Sequence, residues 1–268
     1  MIKESMARKG IIILLCLICM SGFSHPAVSK DKNKKKLITV FKNTVAAYGG
    51  LAVLLRQTGK LRGLIKLYTG TDNPREGDIT IRFIRRLKVP EDLTRLDLKL
   101  PTAPTLTIAY DGKRIWGAEN GNPIVLYLRS EAAFKADLIH NYEAFLRSQE
   151  FGAKLQYIGE EKRSGIRLHV VDMTHADGSQ TRFYISAKTW RILHLEFDFT
   201  DPAQQETVHV WESFYDFRVV QQTLVPFRVV RYENDQRVQE IRFTDVAFNV
   251  QIDKAIFEPG GGTSAASR

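Results

Sequence analysis

The sequence predicts a mainly β protein: a strongly curved antiparallel half-barrel of about eleven strands, with helices covering the open mouth. Three observations predict it. Apolar and polar residues alternate with period two through most of the stretch from Leu61 to Ile252, as in strands with one buried face. Asp111-Gly112, Asp177-Gly178 and Glu233-Asn234-Asp235-Gln236 interrupt that alternation as hairpin turns. Only two stretches carry the three-and-four spacing of a long helix. So many strands do not lie in one flat sheet with a dry face, so the sheet curls and the helices cover one side of it.

Residues 1–27 read as an export signal. Lys3, Arg8 and Lys9 give a positive opening, Ile11 to Met20 is an unbroken apolar run, and Ser21-Gly22-Phe23-Ser24 with Ala27 offers the small residues of a cleavage site. The apolar run falls well short of the ~20 residues that span a bilayer. Cys16 and Cys19 lie within it, and Leu15 and Ile18 precede them where a lipid-acceptor cysteine wants a small residue. The exported chain is therefore expected to have no cysteine, to work in the periplasm and to be held by its core alone.

Residues 28–36 read as a basic, solvated leader, since Lys30 to Lys36 is mostly lysine. A helix opens at Leu37, with Leu37, Val40, Phe41, Thr44, Val45 and Tyr48 on one face, and Gly49-Gly50 stops it. Leu51 to Arg56 adds a turn or two. The second long helix runs from Ser130, a plausible N-cap, to Ser148, with Ala132, Ala136, Ile139, Tyr142 and Leu146 along one side. Among the strands, Ile79, Ile81 and Phe83 alternate with Thr80 and Arg82, and Leu96, Leu98 and Leu100 with Asp97 and Lys99. Leu193, Leu195, Phe197 and Phe199 share a face against His194, Glu196 and Asp198, and Phe248, Val250 and Ile252 form a closing strand. No Pro-, Gly- or Ser-rich linker divides residues 37–259, which read as a single domain, and residues 260–268 are a loose tail.

The chain has 39 Lys and Arg against 30 Asp and Glu, a net charge of +9, and stays positive once Lys3, Arg8, Lys9 and Glu4 leave with the signal. In an exported protein that balance favours transient contact with an anionic membrane surface rather than with nucleic acid.

Four stretches resemble the periplasmic lipoprotein-carrier superfamily, the LolA/LolB-like proteins of outer-membrane lipoprotein sorting. Ala47-Tyr48-Gly49-Gly50-Leu51 with Leu54 is similar to the Gly-Gly segment after that family's first helix. Phe183 to Ile192 is similar to its aromatic strand and turn, with Ser186-Ala187-Lys188-Thr189 where Asp-Pro-Lys-Thr is usual. Phe214-Tyr215-Asp216-Phe217 through Leu224-Val225-Pro226-Phe227 resembles a family hairpin, and Phe243-Thr244-Asp245-Val246 leading to Asp253 through Pro259 resembles its closing strand and ending. The match spans Leu37 to Pro259. It implies an unclosed barrel with helices across its mouth, an apolar cavity that receives acyl chains, and an arginine near the cavity that holds the helical lid. No residue of this chain is carried over to that arginine's role, and none of the motifs is catalytic.

The leading expectation is a periplasmic carrier or acceptor for acyl chains of lipids or lipoproteins, without covalent chemistry and without cofactor. An envelope sensor that binds a protein partner with the same half-barrel is the first alternative, and a hydrolase with an unrecognised site the second. Leu64, Leu67, Ile79, Ile81, Phe83, Leu96, Leu98, Ile108, Tyr110, Leu195 and Phe197 are the candidate cavity lining, against the plainer reading that they fill a dry core. His169, Asp172 and His175 invite a metal by spacing, but positions three apart on a strand face opposite ways, so surface histidines and no metal site are expected. Glu160-Glu161 and the pair Asp198 and Asp201 read as solvated strand-end charges. Trp116, Trp190, Trp211, Phe214, Tyr215 and Phe217 read as core anchors, and Arg82, Arg85, Arg86 and Lys88 as an outer, solvated face.

Overall fold

The computed structural model describes residues 27–68, 70, 73–86 and 91–260. All of the expected export signal but Ala27, Lys88 and nearly all of the C-terminal tail lie outside these residues. In chain order the elements are α1 (Ala27–Ala47), α2 (Leu51–Leu54), β1 (Thr58–Leu67), β2 (Arg75–Ile84), β3 (Leu93–Lys99), β4 (Leu106–Tyr110), β5 (Ile115–Glu119), β6 (Asn122–Ile124), α3 (Leu128–Ile139), α4 (Tyr142–Leu146), β7 (Lys154–Arg163), β8 (Ile166–Thr174), β9 (Gln180–Ser186), β10 (Ile192–Asp201), β11 (Glu206–Val220), β12 (Thr223–Glu233) and β13 (Gln236–Phe248), followed by a 3-10 turn at Lys254–Phe257.

All thirteen strands join one antiparallel sheet in the order β6-β5-β4-β3-β2-β1-β13-β12-β11-β10-β9-β8-β7. Every neighbouring pair is consecutive in the chain except β1–β13, where the first and last strands meet. β6 and β7 are left as free edges, so the sheet is a half-barrel and not a closed one. The count exceeds the expected eleven because β5 and β6 have only 5 and 3 residues, too few to show alternation. At the other end β13 stops at Phe248: Asn249 turns left-handed at φ 53° and accepts the Gln57 N–H at 3.0 Å, so Val250 and Ile252 fall outside the strand.

Three helix boundaries also differ from the sequence reading. α1 starts at Ala27, ten residues before Leu37, and carries the lysine run on its first turns; Lys36 reaches Glu160 at 3.1 Å. α3 starts at Leu128, and its N-cap is Tyr127, not Ser130. The expected long helix is two helices, because Asn141 is extended and its side chain accepts the Ala144 N–H at 3.0 Å, restarting the turn as α4. The Gly-Gly stop is as expected, with Gly49 at φ 111° and Gly50 at φ 58°.

The helices cover one half of the inner face. α1 packs on β7, α3 on β10, and α1 on α4. Val40 of α1, Tyr48 in the turn that follows it, and Phe145 and Leu146 of α4 bury Tyr157, Val171, Met173, Phe183, Leu195 and Phe197 into the main core. The half built from β1–β5 and β13 is packed by the 3-10 turn at β3, and its inner face has only small clusters, such as Ile65, Ile79 and Ile241 with Leu96 and Leu98 beside them. Among the described residues no helix is long and apolar enough to cross a membrane.

Gly49 is where the sequence ties α1 to the sheet: Leu224 N–H donates to the Tyr48 carbonyl at 3.2 Å, and a Cβ on Gly49 would strike the Gln222 carbonyl. Gly50 has open space around it. Both glycines have positive φ, so Gly50→Ala is expected to lower unfolding stability in urea by about 1–3 kcal/mol through backbone strain, and Gly49→Ala by more, because the clash with the Gln222 carbonyl adds to it.

Candidate functional site

The uncovered half of the sheet is concave, and between it and the flank of α3 and α4 lies an open cavity of about 850 Å³. Its strand wall is apolar: Leu61 of β1, Ile81 and Phe83 of β2, Leu96 of β3, Ile241 and Phe243 of β13, and Val225 and Val229 of β12. Register explains the set. Gly59 faces Phe83, Leu61 faces Ile81, and Ile81 faces Leu96 across neighbouring strands, so their side chains rise on one surface. Gly59 has no side chain to compete with the Phe83 ring that lies over it.

The helical side is mixed. Phe134, Leu138, Ile139 and Tyr142 face the cavity together with Glu131, Lys135, Asp137, Glu143 and Arg147. Two buried ion networks fasten these helices to the sheet side. Glu143 of α4 accepts hydrogen bonds from both Arg56 and Arg85. Arg85 also donates to the carbonyls of Val53 and Arg56, at 2.9 and 3.1 Å. Burial opposes the Glu143 charge, but Arg56 and Arg85 outweigh it and hold the carboxyl at about 2. The Arg56 side chain is only 1% exposed, and its guanidinium lies 4.0 Å from the centre of the Phe248 ring. Arg147 donates to Asp92 and Glu150, both at 2.7 Å. In the second network Arg231 of β12 joins Asp137 of α3 to Glu212 of β11, the latter at 2.9 Å; burial there raises the Glu212 carboxyl above its usual range despite Arg231.

A third group sits where α3 ends. His140 Nδ1 and His175 Nε2 both meet the Thr181 hydroxyl, at 2.7 and 2.8 Å. The His140 ring also stacks on Phe197 with centroids 4.4 Å apart. Both rings line the cavity.

No protein-family model and no curated protein matches the chain. Solved structures do. A DUF1329 family protein from Desulfovibrio piger superposes with a TM-score of 0.57 at 12% identity, covering 82% of this chain and 96% of that one. A LolA superfamily protein from Nitrosomonas europaea gives 0.53 at 11% identity, with 82% and 96% covered. The fold is LolA-like.

Within this LolA-like sheet the candidate lining residues divide. Ile81, Phe83, Leu96 and Tyr110 border the cavity. Leu67, Ile79 and Leu98 share that face but pack into the small cluster around Ile65 and Ile241, and Ile108 is buried. Leu195 and Phe197 lie in the main core beneath the helices. Leu64 stands on the outer face, 52% exposed, because it and Leu67 are an odd number of residues apart on one strand.

Other expectations are corrected. Arg85 is not on a solvated face but at the cavity, in line with Ile79, Ile81 and Phe83 by period two; that parity was a signal for it. His169 and His175 are buried rather than on the surface. His169 stacks on Trp190 at 5.2 Å, while Asp172 pairs with Arg182 at 2.7 Å on the other face. Among the described residues no three His, Cys, Asp or Glu side chains converge as metal ligands. His194 does contact Ser213 at 2.9 Å, but Ser213 is buried and its Oγ already accepts the Trp211 Nε1–H at 2.9 Å.

Burial, with His175 next, pushes His140 down to about 3, and burial lowers His175 too; Asp177 opposes both shifts and Asp198 that of His140. The unfolded chain binds these protons near pH 6.5. Between that value and the folded one it holds more protons than the folded chain, so stability falls as pH falls. Going from pH 7 to pH 5 is expected to cost on the order of 2 kcal/mol through His140 alone; His194, which burial holds at about 4, and the lowered His175 and His169 add to the slope, so His140→Gln is expected to reduce it without abolishing it, as read from urea midpoints at the two pH values.

Proposed function

We propose that the protein is a periplasmic carrier or acceptor that shields acyl chains of lipids or lipoproteins in this cavity and does no covalent chemistry on them. The carrying observation is the apolar wall of Leu61, Ile81, Phe83, Leu96, Ile241 and Phe243 facing open space in a cavity of about 850 Å³. That volume is at the upper end of ligand pockets, roughly 300–1,000 Å³. Apolar strands that face a hollow rather than a helix carry unspent burial energy, and an alkyl chain supplies the missing partner at ~0.8 kcal/mol per methylene.

The likeness of the fold to a LolA superfamily structure supports this reading. The ion networks of Glu143 and Asp137 position the helices that border the cavity. The periplasmic setting rests on the export signal read from the sequence.

Two experiments test the proposal. Native mass spectrometry of protein purified from its own host is expected to show co-purified lipid; a protein that is empty and takes up no fluorescent fatty acid refutes carriage. Leu96→Trp, which fills the cavity without adding charge, is expected to weaken fatty-acid uptake at least about tenfold with the melting temperature retained. Leu64→Asp, on the outer face, is expected to leave uptake unchanged, and equal uptake by both variants would place the ligand elsewhere.

A further inference from the structure

The connection from β6 to α3 is the most exposed apolar segment described. Val125 is 96% exposed, Tyr127 85% and Leu128 58%. Scattered surface apolar residues are ordinary, but three within four positions are a patch. The segment is anchored, not adrift: a Cβ on Gly117 of β5 would strike the Leu126 side chain, so Leu126 tucks against the sheet and its neighbours are turned outward. β6 itself pairs only with β5 and ends the sheet.

Its position gives the patch meaning. The cavity reaches solvent where the β4–β5 turn faces the start of α3, since Lys113, Arg114, Glu131 and Lys135 line the cavity and are also exposed. The segment 125–128 follows the Ile124–Gly117 pair, rests on β5 through Leu126 and leads directly into α3, one turn before Glu131 at that opening. Three of the four exposed lining residues there are cations, with Asp111 near Arg114 at 3.5 Å. Arg129 is turned away to Asp201 and Glu233. Asp177, the other exposed acidic lining residue, is beside His140 at the far end of α3.

We propose that Val125, Tyr127 and Leu128, with Lys113, Arg114 and Lys135 around the cavity mouth, form a docking edge for an anionic lipid bilayer, which brings the opening against the membrane so that a chain passes between bilayer and cavity without crossing water. The chemistry matches an interface on both counts. An aromatic and two aliphatic side chains enter the headgroup boundary, and cations lie beside them to meet anionic lipid. A protein strand pairing with β6 fits less well, because β6 has 3 residues and one is Pro123. The purpose given to the edge rests on the carrier reading; the contact itself does not.

The test uses extruded vesicles of phosphatidylcholine alone and of phosphatidylcholine mixed with phosphatidylglycerol, with co-flotation as the readout. The protein is expected to float with the anionic vesicles and much less with the neutral ones. Val125→Asp combined with Tyr127→Asp is expected to weaken flotation at least about tenfold, and Lys113→Glu combined with Lys135→Glu to abolish the preference for anionic lipid. A Tyr127→Trp variant is expected to be quenched by bromine-substituted acyl chains beyond the quenching of the parent protein. Flotation that ignores both double variants, no added quenching at position 127, or loss of a dimer in the aspartate variant in place of loss of flotation overturns the proposal. Fatty-acid uptake measured in parallel without vesicles separates the two ideas: its absence in the parent protein speaks against the carrier, and its persistence in the Val125→Asp, Tyr127→Asp variant, whose changed residues do not line the cavity, is the result expected here.

Discussion

The inner face of the sheet presents more apolar surface than the helices cover. α1, α3 and α4 seal the side formed by β7–β11, where Phe145 and Phe183 pack at 5.2 Å and Tyr48, Met173 and Leu195 are buried. The side formed by β1–β3 has the same period-two pattern, and its inner face looks across the cavity at α3 and α4 without being filled by them. A flat sheet would leave that surface fully wet, and a closed barrel of this many strands would leave an enclosed lumen. The half-barrel bends it into a trough, and the cavity is the part of the trough that the helices do not fill. Its existence thus follows from a count of strands against helices more than from any single residue.

What keeps the trough from collapsing is charge. The helix edge over the cavity carries Asp137, Glu143 and Arg147, and each meets opposite charge in Arg231, Arg56 with Arg85, and Asp92. Hydrocarbon in those positions would draw α3 and α4 down onto Phe83 and Leu96. Paired buried charges add little to stability on balance, because desolvation offsets most of their attraction, but losing one partner leaves the other costly. They therefore fix the position of the helices without gluing them to the sheet. The guanidinium of Arg56 has two nitrogens with no hydrogen-bond partner and rests on an aromatic face instead, a sign that this network is positioned by shape as much as by pairing.

Much of this was legible in the sequence, and the limits have physical causes. Alternation reports which residues share a face, so Ile79, Ile81 and Phe83 were read correctly as one surface. It does not report whether that surface meets a helix or a hollow, and so Leu195 and Phe197 were indistinguishable from Ile81. Leu64 was an error of phase beside Leu67. Arg85 was missed for the opposite reason: its parity pointed inward, but an isolated arginine is normally placed in water. The break at His140-Asn141 left only a weak local trace, since Asn141 caps α4 through a hydrogen bond that forms only once the chain has turned.

The mixture of apolar wall and charged helical edge also bears on how tightly a guest is held. About 15 methylenes fully desolvated would give ~12 kcal/mol of gross transfer energy, and a site sealed on all sides by hydrocarbon would keep most of it. An alkyl guest of the kind proposed would touch hydrocarbon on the strand side and meet ion pairs and imidazoles on the other, whose own hydration it would disturb. Immobilising a long flexible chain would take a further share. The net affinity would then lie well below the gross figure. If the proposed carrier role holds, a half-apolar cavity suits it better than a fully apolar one, because a site that recovered the whole transfer energy could load but not unload.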